Sequence, residues 1–392
     1  MKRLTLLLLG LALGVSATAS AQGLTMQMSN GWSFSFSGNV NVFWVFSKVN
    51  NSGPANSSVR TGLLPAFATF DAKGKEAGLN LGVHFGFAPQ IQNPAGVHDN
   101  FGNGTQAGAQ IDMRQVYLTI GFKDGGQILA GRELGLFSRQ NILNDMTLFG
   151  VGAIGIGGGQ GGGTTLGRIG YGYLYPNFDP QITYSTKPGQ SQLSIGLFQP
   201  NVLQGGGGGT PYLFTKIPRV EAEFTYNQKS GKNNYSFWVG GLWQSTSNAA
   251  SGGNTASSFG GTAGLKAGMS DLSIVVTGYI GKGLGTTLLF SGNEVAANDT
   301  DLRKSDGGYA QLTYKVGPKT TLGGSYGFSR LVNNQTGDGN TAVRSNVYSY
   351  TAGIYHQWTK SLKLVFEGTE EGSTGPGRPK QIDISGGFML FF

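Results

Sequence analysis

The chain has 392 residues, no cysteine, 68 glycines, 11% aromatic and only 12% charged residues, with a formal charge of +8. This excludes a disulfide-stapled scaffold, a disordered chain, which needs high charge and few aromatics, and a concentrated basic surface for nucleic acid. What it fits is a fold with an apolar exterior, many tight turns and many positions without a side chain.

Met1-Lys2-Arg3, the apolar run Leu4 to Val15 and Ala19-Ser20-Ala21 have the charged, apolar and small-residue parts of a secretory leader. The run is shorter than the roughly 20 residues of a membrane helix, so residues 1–21 are expected to be cleaved and 22–392 to form one domain. The first strand follows. Phe34, Phe36, Val40, Val42, Trp44 and Phe46 fall on one parity and Ser33, Ser35, Ser37, Asn39 and Asn41 on the other. Successive strand side chains point to opposite faces, and this alternation runs far beyond the 5 to 6 residues usual in soluble sheets. Asn39 and Asn41 are therefore expected inside a transmembrane barrel. Arg60 opens the second strand. The third repeats the pattern, with Leu79, Leu81, Val83, Phe85 and Phe87 against Asn80, Gly82, His84 and Gly86.

Val116–Phe122 and Gly126–Arg132, joined by Lys123-Asp124-Gly125-Gly126, read as a hairpin. Arg114 shares parity with Val116, Leu118 and Ile120, which assigns it to the outer surface, at the rim or a subunit contact. Periodicity then stops from Glu133 to about 165. Structureless connections beyond about 12 to 15 residues are usually functional, and in a barrel the place for this one is the lumen, as a constriction loop. Arg168 has the parity opposite to Ile169, Tyr171 and Tyr173, so it points inward. Ile169 to Tyr184 is expected to be one long, interrupted strand.

Later windows keep the same alternation, and charged Arg219, Glu221 and Glu223 sit on the inner parity beside outward Val220, Ala222 and Phe224. Short connections such as Asp71 to Glu76 and Gly317 to Lys319 alternate with long ones such as Gly283 to Asp306, as turns and loops do at the two rims of a barrel. An even count is required, and the reading is a 16-stranded antiparallel transmembrane β-barrel. A soluble sandwich would leave an apolar band exposed to water.

Catalysis finds no support. His84, His98 and His356 pair with no nucleophile and orienting group, and no helix follows the run Gly155 to Gly163, so it is not a nucleotide fingerprint. Asp299, Asp301 and Asp338 lack the ordered ligand spacing of a metal site. No catalytic residue, metal or cofactor is expected.

Leu129-Ala130-Gly131-Arg132 before the inserted loop, Gly167-Arg168 after it and a last strand ending in Phe392 resemble the general diffusion porins of the Gram-negative outer membrane, over the whole mature length. The resemblance implies a water-filled channel for passive diffusion of small hydrophilic solutes and ions. It places Arg60, Arg132 and Arg168 on one wall of the constriction, facing Asp145, with Glu133 as a further acid. Asn39 stands where many relatives have a base, and a second loop acid after Asp145 is missing. The same resemblance implies a homotrimer in the outer membrane, in contact with its lipids and lipopolysaccharide and delivered by the outer-membrane assembly machinery through Phe392. Three basic candidates against one or two acids imply a mild anion preference. The competing reading is a selective or adhesive barrel whose long loops bind a ligand.

Overall fold

The computed structural model describes residues 23–50, 55–91, 111–123, 125–158, 163–205, 209–249, 253–298, 300–332, 345–374 and 379–392. The expected leader, His98, Asp299 and Asp338 lie outside them. The strands are β1 (Leu24–Gln27), β2 (Ser33–Val49), β3 (Asn56–Arg60), β4 (Phe67–Glu76), β5 (Leu79–Pro89) and β6 (Ile111–Gly121). They continue with β7 (Gln127–Leu134), β8 (Phe178–Ser185), β9 (Ser191–Phe198), β10 (Arg219–Ser230), β11 (Asn233–Ser247) and β12 (Thr255–Met269). The last are β13 (Leu272–Lys282), β14 (Lys304–Val316), β15 (Thr320–Val332), β16 (Ser345–Gln357), β17 (Leu362–Ser373) and β18 (Lys380–Phe391).

These 18 segments form one sheet, in which β18 pairs with β2 and all described pairings are antiparallel, so the sheet closes on itself. Two pairs of segments are each one barrel strand. β3 and β4 both lie against β2, at Phe43–Ser47 and Ser33–Asn39. β1 pairs with β2 at Ser33–Phe36, just beyond the point where Phe391 of β18 meets Asn39, and so continues the line of β18. The barrel therefore has 16 strands. At this seam Gly38 and Phe392 exchange backbone hydrogen bonds of 3.0 Å, and a Cβ on Gly38 would collide with the Phe67 carbonyl.

Outward positions hold the apolar residues the alternation places there. Ile182, Ile280 and Phe388 are more than half exposed, whereas inward Asn41, Glu221 and Thr351 are buried. A charge on the outer face at mid-depth costs about 2 to 4 kcal/mol, which keeps that band apolar.

Three local expectations need correction. The second strand is interrupted: 61–66 leaves the wall between β3 and β4, and Asp71 to Glu76 is strand, with the turn at Ala77 and Gly78, both at positive φ. Ile169 to Tyr175 is not wall strand either. Gly167 and Gly170 have φ of 56° and 75°, conformations no strand passes through, and Ile169, Tyr171 and Tyr173 are buried inside. Only Phe178–Ser185 joins the sheet, so the inserted segment runs over 135–177, longer than the expected 133–165. Third, β5 and β6 shift register between Gly86 and Phe87, which pair with Gln115 and Met113 and leave Arg114 as the extra residue of a β-bulge.

Inside the barrel, segment 135–177 carries α1 (Arg139–Leu143) and a 3₁₀ turn (Met146–Phe149). Inward wall residues Phe43, Trp238, Val275, Tyr309 and Val365 form a core with its Ile142, Leu148, Val151 and Tyr173. A second core joins Phe137 and Leu174 to Leu203 and Tyr212 of connection 199–218 and to Leu284 and Leu289 of connection 283–303. These two connections also fold inward.

Candidate channel lining

The wall holds the inserted segment chiefly through its backbone. A loop with no regular ladder leaves N–H groups that must find acceptors, and wall glutamates supply them in pairs. Glu221 accepts from the N–H groups of Leu136 and Phe137 at 2.7 and 2.9 Å. Glu367 accepts from Val151 and Gly152 at 2.7 and 2.8 Å, and from the Tyr355 hydroxyl at 2.6 Å. Glu371 accepts from Ile154 and Gly155 at 3.3 and 3.2 Å. Buried carboxylates are tolerable only with such compensation. Glu223 adds an ion pair of 2.6 Å to Arg139 at the start of α1, and Arg219 pairs with Asp179 and Glu221 beneath the Phe198 and Phe290 rings.

Asn39 and Asn41 point inward and hold excursion 61–66. Asn41 accepts from the Gly62 N–H at 2.8 Å and donates to the Leu64 carbonyl at 2.9 Å, while Asn39 donates to Pro65. The excursion then meets the inserted segment, Leu63 N–H donating to the Gly150 carbonyl at 2.9 Å and Leu64 N–H to Leu148 at 3.2 Å.

The five residues expected at the constriction do not converge. Arg60 is buried and donates to the carbonyls of Gly158, Gly163 and Thr164. Arg168 is fully buried, its guanidinium on Ser325 of β15 and Ser349 of β16. Asp145 caps the 3₁₀ turn, accepting from the Thr147 N–H and hydroxyl, and also from the Tyr173 hydroxyl and the Arg168 backbone N–H. It meets Arg168 through that backbone group and faces no open gap. Arg132 is exposed and pairs in register with Val116 on the outward parity, donating to the Phe178 carbonyl. The placement expected for it fails because Glu133, its neighbour, takes the inner face.

Glu133 does point inward, accepting from Gln115 Nε2 and the Leu134 N–H at 2.7 Å each. Arg114 was misplaced in the opposite sense to Arg132. The bulge turns it inward, where Nε donates to Asp112 at 2.8 Å and Nη1 to the Tyr175 hydroxyl of the inserted segment at 3.2 Å. This removes the subunit contact expected of it. Arg114, Gln115 and Glu133 are the polar wall of a cavity of about 180 Å³, whose other sides are mainly apolar residues of excursion 61–66 and of the inserted segment, with Thr164 and Thr165 among them. His84, bonded to Asp71 at 3.0 Å and stacked on Tyr117, stands next to Gln115 on β5. His356 lies apart on β16, bonded to Thr320.

The inner-face lysines Lys266 of β12 and Lys363 of β17 were also missed. Lys266 donates to Asn144 Oδ1 at 3.2 Å, and Lys363 lies 4.1 Å from the centre of the Phe149 ring. Neither makes an ion pair among the described residues. Their inward parity, shared with Thr262 and with Val365 and Glu367, was the available signal.

Among solved structures, the fold is similar to the outer membrane channel DcaP of Acinetobacter baumannii, at 13% identity over 94% of this chain and 99% of that one, with a TM-score of 0.66. It is similar to an anion-selective porin from Comamonas acidovorans at 14% identity, 92% and 100% coverage and a TM-score of 0.63. A trimer form of OmpT from Vibrio cholerae aligns at 14% identity, 92% and 100% coverage and a TM-score of 0.54. No curated protein sequence matches. A family model described as Gram-negative porin matches residues 5–375, and the chain belongs to that family: it is a channel of the outer membrane and not an enzyme.

Proposed function

We propose that this porin passes small hydrophilic solutes and ions passively, that segment 135–177 narrows its lumen to a constriction, and that it works as a trimer with a mild anion preference. The observation that carries the reading is the one-sided attachment of the inserted segment. Glutamates of β10 and β17 bind its backbone on one side, while along β6 and β7 a cavity separates it from the wall. The anion preference rests on Lys266 and Lys363, which have inward parity and no acidic partner among the described residues, whereas Glu221, Glu367 and Glu371 accept backbone N–H groups and Glu223 pairs with Arg139. Charge lining a pore selects by sign. The trimer is carried over from the OmpT trimer form, a structure of the same fold.

Purified protein in a planar bilayer tests this. Discrete ohmic conductance steps are expected, with a reversal potential in a salt gradient of the anion-selective sign that shrinks as salt rises, since the screening length falls from about 10 Å at 0.1 M to about 3 Å at 1 M. Absence of steps removes the channel reading, and a cation-selective sign removes the role of the two lysines.

A second reading, a solute-selective channel, is favoured by the inward folding of connections 199–218 and 283–303, whose Leu203, Tyr212, Leu284 and Leu289 are buried in the barrel. General diffusion gives no reason to fill the lumen with apolar side chains.

A further inference from the structure

We propose that the cavity beside Arg114 is a solute station of the channel that selects small molecules carrying a carboxylate on an apolar body, of about the size of benzoate; this rests on the reading of the chain as a solute channel. The first observation is the lining. Leu63 and Leu64 of the wall excursion and Leu143, Leu148 and Leu166 of the inserted segment together line about 180 Å³ beside Arg114, with Thr164 and Thr165 as the segment's polar side chains there. A polyhydroxylated solute entering there finds few partners besides Thr164 and Thr165 for the water it gives up, while an apolar body gains from contact with the leucines. These leucines are at the margin of the first core, which packs Leu63, Leu64 and Leu148 against Phe43 and Tyr309, and apolar atoms facing a void forfeit their dispersion contacts. Leu143 and Leu166 are only half-buried and Leu288, also in the lining, is 37% exposed, so the void opens toward the lumen.

The second observation is the guanidinium at its edge. Arg114 is brought in by the bulge and fixed by Asp112 at Nε and by Tyr175 at Nη1. Its Nη2 makes no hydrogen bond among the described residues. A guanidinium with one amino group free and its plane held is a preorganised carboxylate acceptor site. Two acids are close. Asp112 occupies the Nε edge, and both oxygens of Glu133 are already taken by the Gln115 amide and the Leu134 N–H, so neither closes the Nη2 edge to a ligand. His84 is engaged with Asp71. The mainly apolar lining and the free guanidinium edge together define the class, one carboxylate on one compact hydrocarbon body, with the Thr165 hydroxyl, unpartnered among the described residues, able to add one hydrogen bond.

The experiment is current blockade in a planar bilayer at neutral pH, with the full chain and chloride as carrier. The probes are benzoate, benzyl alcohol, which has the body without the charge, and gluconate, which has the charge without the body. Benzoate is expected to half-block at a concentration about tenfold or more below either of the others, tenfold being about 1.4 kcal/mol. Arg114→Gln should raise the benzoate half-block about tenfold, the outward control Arg132→Gln should leave it unchanged, and Leu143→Asn with Leu166→Asn should remove the advantage over gluconate. If the paired variant fails to insert, Leu288→Asn gives the same reading from the more exposed edge of the lining. Equal block by benzoate and gluconate, or an Arg114→Gln channel that still prefers benzoate, overturns the proposal. Conductance without discrimination defeats this inference alone; absence of any conductance defeats the channel reading beneath it.

Discussion

The two sides of the inserted segment follow different chemistry. Toward β10, β12 and β17 it is close-packed and hydrogen-bonded group by group: Glu221, Glu367 and Glu371 each take two adjacent N–H groups, and Asn141 bonds Trp238, Thr262 and Thr277. Toward β6 and β7 the same segment presents leucines to a cavity, and Arg114 reaches it through a single tyrosine. Buried charge on the first side fixes position; on the second, one partly accessible charge is left for a solute. A charge inside a barrel therefore does not identify a pore-lining residue by itself. What decides is whether protein groups already occupy its donors or acceptors.

The largest effect should come from the fixed side. Glu367→Ala leaves two backbone N–H groups and the Tyr355 hydroxyl without an acceptor, each costing about 1 to 3 kcal/mol when buried. The folded form in detergent should be lost at a clearly lower temperature on unheated gels, and its single-channel current should flicker. Glu367→Gln keeps a carbonyl acceptor and should lie in between. Unchanged heat resistance in the alanine variant would mean that the segment is held by packing alone.

Arg168→Met comes next. It removes the hydrogen bonds to Ser325 and Ser349 from a fully buried site and should destabilise the barrel by about 2 kcal/mol with no change in reversal potential. A shifted reversal potential at unchanged stability would return Arg168 to the ion path. Smaller again is the pair Lys266→Ala with Lys363→Ala, for which the reversal potential should move toward cation selectivity while unfolding temperature stays nearly constant. The smallest effect belongs to Arg132→Ala: conductance and selectivity unchanged, and stability within about 0.5 kcal/mol, as for surface positions generally. A selectivity change there would contradict its outward placement.

Alternation made the wall legible in advance. In β2 and β10 a parity assignment places Asn39, Asn41, Arg219, Glu221 and Glu223 on the inner face, where the structure has them, because a strand offers each side chain only two directions and lipid excludes charge from one. The count of sixteen was also readable, since short and long connections must alternate. The inserted segment was not. Its side-chain directions are set by tertiary contacts with seven or more strands and by positive-φ glycines such as Gly167 and Gly170, which leave no period, so parity arguments for Arg168 beyond Gly167 had no strand to rest on. Arg132 followed family resemblance where its own parity, shared with Ile128 and Ala130, already placed it outside.

Arg114 was legible and overlooked. Ile111 and Met113 are apolar on odd positions and Val116, Leu118 and Ile120 on even ones, and a change of phase within one strand is what a single extra residue produces. That bulge has a consequence for how such a chain can change. Because side-chain direction has a period of two, deleting Arg114 or Gln115 would remove the bulge and restore plain alternation, with Ile111 and Met113 still toward lipid, whereas deleting one residue between Val116 and Ile120 would exchange the two faces of everything on one side of the deletion. The bulge is thus the one place in this strand where a residue can be lost without a polarity inversion; elsewhere along it a one-residue change inverts part of the strand, while the same event in a long connection only alters a contour.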